Sequence, residues 1–305
     1  MDKKDFNELV DLAMQQPGRG AMRPVVEKEI LHYDIFYALD KAGLLKDLVF
    51  QGGTSLRLCR GSSRFSEDLD FAGGKDFTSS KMTVIKSCIE KHIGIKYGLL
   101  VEVKEPKDMA TSPDYDGVKV DKWQISVETA PQQRDLPRQK IKVEIANIPA
   151  HTRELLPLRL NYDFLQGSGA VLVNAESIDE VMADKIVAFP VAKNTRYRDI
   201  WDLAWLQQQG AKLDPALVIQ KIDDYKIENY PALLSNAIIR LPELVNGKPF
   251  KDQMLRFIDS ETIAKTLDNP LFLTYLIKTL HDLFGKMAEH LEDGGVRSEN
   301  VAFKM

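Results

Sequence analysis

The sequence predicts an α+β fold, in which a half-open sheet covered by helices on one face (residues 1–175) precedes a helical domain (residues 176–305). Lys122–Glu128 and Lys140–Ala146 alternate apolar and polar residues, so each predicts a strand with one buried and one polar face. From about Glu176 onward, apolar residues recur at helical spacing instead. The 305 residues, 44% of them hydrophobic, can fill a core in both parts.

The elements of the first part follow from local patterns. Val25–Ala42 carries apolar residues at helical spacing and predicts a helix. LKDLVFQGG is typical of a short buried strand that enters a glycine turn, and a helix is expected from Thr54 to Arg60, with Thr54 or Ser55 at its N-cap. DLDF then predicts a strand, and SSKMTVIKSCIEKHI an amphipathic helix.

The second part consists of helices in this interpretation. They are predicted near residues 177–189, 196–209, 214–226, 231–241 and 269–292, with shorter ones around 249–266.

Charge and composition exclude several classes of protein. The net charge of −4 excludes a generally basic nucleic-acid coat, although a local basic patch remains compatible with it. The two cysteines and five histidines have no zinc-site spacing. With no signal peptide and no apolar run of about 20 residues, we expect a soluble, cytoplasmic protein without membrane contact.

Three acidic residues are predicted on the polar face of the sheet. Asp68 and Asp70 alternate with Leu69 and therefore project to one side of their strand, and Glu144 lies on the polar face of KVEIAN. Adjacent carboxylates repel each other unless a cation lies between them, and hard oxygen ligands of this kind suit Mg²⁺. A single D-x-D is common on protein surfaces, and Glu144 beside a lysine is also typical of a cross-strand ion pair.

A glycine pair precedes this acidic strand. Gly52 and Gly53 lie between a strand and a helix, where backbone N–H groups can bind an anion, and Thr54 and Ser55 add hydroxyl groups. The P-loop string is absent, and a glycine turn alone is weak evidence. Followed by D-x-D, however, the turn predicts a phosphate site beside a metal site.

Four motifs together resemble the AbiEii/AbiGii toxin family of the DNA polymerase beta nucleotidyltransferase superfamily. They are GGTSL followed by RFSEDLDF, then KVEIA, a helix with Lys185, and RYRDIWDL. Fourteen residues separate Gly53 from Asp68, which is long for the superfamily but in keeping with this branch. The resemblance covers about residues 50–205 well and implies a mixed sheet with helices on one face.

The resemblance also implies an activity and partners. It implies transfer of a nucleotide from an NTP, two Mg²⁺ (or Mn²⁺) ions on Asp68, Asp70 and Glu144, and nucleotide binding by Gly52, Gly53, Thr54 and Ser55. A toxin with a transcription-regulating antitoxin and a role in phage defence is implied as well. The acceptor implied by relatives is the 3′ end of tRNA.

Two polar residues of the helical part are expected to face inward. Lys185 lies on the apolar side of its helix and needs an anionic partner unless its stem carries the ammonium group to the surface. Asp199 falls between apolar directions of the next helix and is a candidate partner, whereas Asp202 is nearer Arg198 for an i,i+4 pair. The resemblance implies that Lys185 binds nucleotide phosphates and that Asp199 also acts in the cleft.

Alternatives to this reading of the acidic residues remain open. The acceptor can instead be a small molecule or a protein hydroxyl, and a non-catalytic protein can use the acidic cluster to bind Ca²⁺ or a partner. An acidic protein must bind RNA through a local patch. Candidate residues for it are Arg57, Arg60, Arg64, Lys193, Arg196 and Arg198.

Overall fold

The structure is a computed structural model that describes residues 5–107, 117–132, 135–166 and 169–302, the last nine of these by their backbone alone. The chain forms two compact units. The sheet unit comprises Met1–Ser177 with Arg256–Glu261, and the helical unit comprises Ile178–Leu255 with Thr262–Met305.

The sheet unit is built on a mixed sheet of seven strands within the described residues, which confirms the α+β prediction. The strand order is β3-β4-β5-β2-β1-β7-β6. The pairs β2–β5 and β1–β7 are parallel, and the other neighbours are antiparallel. The strands are β1 (Val49–Gln51), β2 (Leu69–Ala72), β3 (Val101–Lys104), β4 (Val120–Val127), β5 (Gln139–Ala146), β6 (Glu154–Pro157) and β7 (Leu172–Ala175).

One face of this sheet forms the core. The residues predicted to face inward from β4 and β5, among them Trp123, Ile125 and Val143, have no exposed surface. Lys122 and Lys142 lie on the opposite face, with 49% and 41% of their side chains exposed. The helices of this unit are α1 (Phe6–Met14), α2 (Arg23–Lys41), α3 (Gly52–Arg60) and α4 (Ile85–Tyr97), with 3₁₀ turns at Ser79–Met82 and Asp163–Leu165.

The helical unit contains the helices expected from the second half of the sequence. A buried ion pair joins two of them, since Lys221 Nζ lies 2.6 Å from Glu180 Oε1 and both side chains are inaccessible. Asp184 contacts the same ammonium group at 3.1 Å. The helices are α5 (Ile178–Val191), α6 (Tyr197–Gln208), α7 (Pro215–Asp224), α8 (Tyr230–Asn246), α9 (Lys248–Met254), α10 (Ser260–Lys265, from Thr262 onward in this unit) and α11 (Pro270–Ala302).

Several local predictions need correction. Helix α3 begins at Gly52 with Gln51 as its N-cap, so Thr54 and Ser55 lie in its first turn. The helix expected over 79–93 is a 3₁₀ turn followed by α4, which extends to Tyr97. Strands β3, β6 and β7 have only four residues each, too few for an alternating pattern to stand out. None of the described helices has the length and apolar character needed to cross a membrane.

Candidate active site

A row of polar side chains crosses the accessible face of the sheet. Asp70 of β2 pairs in register with Gln51 of β1 on one side and with Glu144 of β5 on the other. Lys122 of β4 is the partner of Glu144. Because register partners point to the same face of a sheet, these four side chains form a line across four strands. We call Gln51, Asp70, Glu144 and Lys122 the polar row.

Asp68 lies one residue before β2 and joins the same face. The Lys142 backbone N–H donates to Asp68 Oδ1 at 3.0 Å, and the Lys142 ammonium group lies 3.5 Å from Oδ2. In the polar row, Lys122 Nζ contacts Glu144 Oε1 at 2.7 Å. The sheet therefore brings the three predicted carboxylates to one face and places a lysine beside two of them.

The donor chemistry of this face fits a hard cation such as Mg²⁺. Asp68, Asp70 and Glu144 supply carboxylate oxygens, and the Gln51 amide oxygen is buried without a hydrogen-bond partner among the described residues. Among the described residues, no group of three or more histidine, cysteine, aspartate or glutamate side chains lies close enough together to hold a metal ion in this arrangement. Ion binding therefore requires Lys122 and Lys142 to release their carboxylates, which are 25–30% exposed.

The glycine pair forms the start of α3 beside the polar row. No side chain of the described residues caps this helix, so its first N–H groups are available to an anion. The Thr54 hydroxyl instead donates to the Asp68 backbone carbonyl, and the Ser55 hydroxyl donates to the Gly52 carbonyl at 2.8 Å. Thr54 thus ties the acidic strand to the glycine turn, which couples the two motifs seen in the sequence.

Both glycines let a charged side chain lie close to the backbone. Gly52 has φ +76°, and a Cβ at this position would lie 2.8 Å from Asp70 Oδ2. A Cβ at Gly53 would collide with the guanidinium group of Arg64. A side chain at either glycine would therefore move a charged group of the site.

We expect Gly52→Ala to lower the free energy of unfolding by about 1–2 kcal/mol, because alanine is strained at positive φ. It should also displace the Asp70 carboxylate and remove the nucleotide transfer that the family resemblance implies. Gly43→Ala is the matched control, since Gly43 has φ +70° and a Cβ there would meet nothing within 4 Å. Urea unfolding should show equal losses of stability in the two variants. A labelled-nucleotide assay should show lost transfer only in Gly52→Ala, and equal transfer in both variants contradicts this account.

In the helical unit, one lysine lies between two buried aspartates. Lys185 Nζ on α5 donates to Asp199 Oδ1 at 2.8 Å and lies 2.7 Å from Asp202 Oδ2, both on α6. The three side chains are at most 5% exposed. The partnership of Lys185 with Asp199 is confirmed. Asp202, for which the sequence suggests an i,i+4 pair with Arg198, is buried and contacts the same ammonium group. We call Lys185, Asp199 and Asp202 the lysine clamp.

Electrostatics keep Asp199 charged although it is buried. Burial disfavours its carboxylate, but the Lys185 ammonium and the Arg196 guanidinium, which donates to Oδ2, outweigh burial and lower the pKa of Asp199. The unfolded chain therefore binds more protons than the folded chain below the ordinary value of 3.8. The stability contributed by Asp199 is present above that value and lost as the pH falls through the lower folded pKa.

We accordingly expect Asp199→Asn to be less stable than the unchanged protein at about pH 7 and to lose less stability on acidification to about pH 3. Urea midpoints measured across this range test it. Glu29 contributes in the same direction in both proteins, since burial opposes its charge but Arg57 lowers its pKa. The difference between the two curves therefore isolates Asp199, and parallel curves would overturn the assignment.

The candidate RNA-contacting arginines fall into two groups. Arg57 forms a two-pronged pair with Glu29 (2.7 and 3.1 Å) and is buried, and Arg64, 2% exposed, donates to the Phe65 carbonyl. Arg60 donates to Glu154 at 2.6 Å. The other group lies in the helical unit, where Arg196 is half-exposed and Lys193 is exposed. Burial and pairing give Arg57 and Arg64 structural roles, which argues against RNA contact by either.

The roles of Gln51 and Asp202 in this geometry were not predicted from the sequence. Gln51 enters the polar row only through its register with Asp70, and no sequence pattern signals an uncharged side chain of this kind. For Asp202 there was a signal in its place three residues after Asp199 on the same helix face, but the arginine four residues before it suggested an i,i+4 pair instead.

Comparison with known proteins assigns the chain to a family. The family profile described as "Nucleotidyl transferase AbiEii toxin, Type IV TA system" matches residues 34–276, which include both the polar row and the lysine clamp. The chain belongs to this family. It is thus a nucleotidyltransferase toxin of a type IV toxin–antitoxin system, and the family implies an antitoxin partner.

One of the similar solved structures supports the fold. The nucleotidyltransferase toxin MenT4 from Mycobacterium tuberculosis is similar at a TM-score of 0.57 and 20% identity, over 93% of this chain and 89% of that chain. JHP933 from Helicobacter pylori matches at a TM-score of 0.43 and 18% identity, over 91% and 97% of the two chains. No protein of curated function matches the sequence significantly. The likeness to MenT4 supports the nucleotidyltransferase toxin fold of this AbiEii-family chain.

Proposed function

We propose that this AbiEii-family toxin is a metal-dependent enzyme that transfers a nucleoside monophosphate from an NTP to RNA, at the 3′ end of tRNA. The observation that carries the proposal is the polar row beside the uncapped start of α3. Carboxylates in register on an open sheet face, next to free helix N–H groups, suit a ligand with phosphates and a cation.

The residues of the sheet unit have separate roles in this proposal. The N–H groups at Gly52 and Gly53 bind the NTP phosphates, with Thr54 and Ser55 maintaining the turn. Asp68, Asp70 and Glu144 would hold two Mg²⁺ or Mn²⁺ ions. Such ions orient phosphate oxygens and stabilise charge on the attacking and leaving oxygens.

The transfer itself is a displacement at the α-phosphorus. An acceptor hydroxyl oxygen forms the new P–O bond, the bond to the β-phosphate oxygen breaks, and pyrophosphate leaves with its electrons. The hydroxyl proton passes to solvent or to a nearby carboxylate. We assign to Lys185 the binding of NTP phosphates and to Asp199 the orientation of its ammonium group.

The RNA contacts are proposed for the helical unit. Arg196, Arg198 and Lys193 precede or begin α6, and Arg196 and Lys193 have exposed side chains. Arg60 and Arg196 are weaker candidates than Lys193, because each already pairs with a carboxylate, of Glu154 and of Asp199 respectively. We further propose that the protein acts in the cytoplasm in defence against phage and that its antitoxin regulates transcription.

The decisive experiment incubates the purified protein with Mg²⁺, each labelled NTP separately, and total bacterial RNA. Asp68→Asn serves as the control. Label in a tRNA-sized band that depends on Asp68 supports the proposal and identifies the nucleotide. Label that appears on protein or on a small molecule would reassign the acceptor, and Asp68-independent label would contradict the proposed metal site.

A further inference from the structure

A basic cleft lies in the helical unit. Its volume is about 420 Å³, and its lining includes Lys212, Lys286 and His290. These three side chains are exposed at the cleft. Leu283, Lys286 and His290 follow each other at helical spacing on α11, so they share one face of that helix.

The charge of this cleft differs from that of the whole chain. The protein carries a net charge of −4, yet none of the described lining residues is acidic. Within the described residues, no carboxylate forms an ion pair with the ammonium group of Lys212 or Lys286. The nearby Asp179 and Asp214 carboxylates instead accept backbone N–H groups, of Lys212 at 2.8 Å and of Ala216 at 3.0 Å. The two ammonium groups thus remain available to an anion.

The rest of the lining is largely apolar. Leu213, Pro215 and Leu283 form part of the wall, and Leu283 is 5% exposed. A cleft that combines two cations with an apolar wall suits a ligand with a charged group and a flat apolar part. Its volume falls in the lower part of the range of small-ligand sites, about 300–1,000 Å³. A nucleotide unit has this size and chemistry.

The cleft is distinct from the lysine clamp. Asp199 is in the first turn of α6, whereas Gln207, which lines the cleft, is near its end. Eight residues of helix span about 12 Å along the axis. A ligand in the cleft therefore contacts a different place on the helical unit from the phosphate-binding residue assigned above.

We propose that the basic cleft binds a nucleotide unit through its phosphate, with Lys212 and Lys286 as the cationic contacts and the apolar wall against the base or ribose. This inference rests on the proposed function, because an enzyme that modifies RNA would find this nucleotide unit in its RNA substrate. A free nucleotide offers the same chemistry, and the experiment below distinguishes the two sources.

The test measures binding by the full chain without NTP, so that no transfer occurs. The probes are a labelled short single-stranded RNA and AMP, compared with the variants Lys212→Gln and Lys286→Gln. Lys278→Gln is the matched control, because Lys278 is an exposed lysine of α11 outside the described cleft lining. Each cleft variant should weaken RNA binding about 5–10-fold and reduce the slope of log affinity against log salt by about 0.7.

The outcomes separate the possible ligands. Lysine-dependent RNA binding that AMP fails to displace supports a unit within an RNA chain, and displacement by AMP supports a free nucleotide. RNA affinity equal in the cleft variants and in Lys278→Gln overturns the proposal. So does tighter, lysine-dependent binding of polyglutamate, which would indicate an acidic protein partner.

The same variants distinguish a failure of the cleft assignment from a failure of the proposed function. If they lose RNA binding while the unchanged protein never labels RNA, the cleft assignment stands and the proposed function fails. If they bind RNA normally while the unchanged protein labels tRNA, the cleft assignment fails and the proposed function stands.

Discussion

Replacing Asp68 or Asp70 by asparagine should reduce nucleotide transfer at least about 10³-fold, or about 4 kcal/mol of transition-state stabilisation, if these carboxylates hold the metal. The fold should survive. An asparagine at position 68 can still accept the Lys142 backbone N–H through its amide oxygen, and either change removes one of several like charges on this sheet face. Toxicity on expression should disappear together with transfer.

The matched control for these variants is Glu102→Gln. Glu102 is a carboxylate of edge strand β3 with 70% of its side chain exposed, and its nearest cation, Arg138, is 3.4 Å away. Transfer of labelled nucleotide and urea unfolding should both remain unchanged in this variant. Full transfer by Asp68→Asn, measured beside this control, would remove the metal site from the proposal.

Replacing Lys185 by methionine should lower the free energy of unfolding by about 3–5 kcal/mol, since it leaves two buried carboxylates without their shared cation. Arg196 still contacts Asp199 after this change. Urea unfolding of the full chain measures the effect. The exposed Lys193→Met should change stability by no more than about 0.5 kcal/mol.

A triple variant separates stability from nucleotide binding. Adding Asp199→Asn and Asp202→Asn to Lys185→Met removes the buried charges together and should recover most of the lost stability. If this variant folds but fails to bind NTP, the clamp has a role beyond stability. A Lys185→Met protein as stable as Lys193→Met would show that the clamp does not stabilise the helical unit.

The strands were predictable where a local pattern covers enough residues. Alternation in β4 and β5 identifies Trp123, Ile125 and Val143 as core residues, and all three are fully buried. Strands β3, β6 and β7 have four residues each, too few for an apolar–polar alternation to be recognised. They are defined by their pairing with neighbouring strands of the sheet. Arg256–Glu261 likewise joins the sheet unit although the boundary near residue 176 assigns it to the helical part.

The candidate site was predictable in its residue types but not in its pairings. Asp68, Asp70 and Glu144 could be placed on one polar face from strand alternation alone. The pairing of Lys122 with Glu144 requires the β4–β5 register, which depends on residues about 20 positions apart. Similarly, Arg57 looks like a surface cation until α2 brings Glu29 against it.

The sequence by itself determined the alternating strands β4 and β5, the glycine turn before the acidic strand, and the inward direction of Lys185. These follow from periodicity and backbone sterics, which act between near neighbours in the chain. Only the tertiary structure decided that Gln51 joins Asp70 and Glu144 in one row, and that Asp202 shares Lys185 with Asp199. Such contacts depend on strand register and helix packing, and a buried charge is stable only where packing supplies its counter-charge.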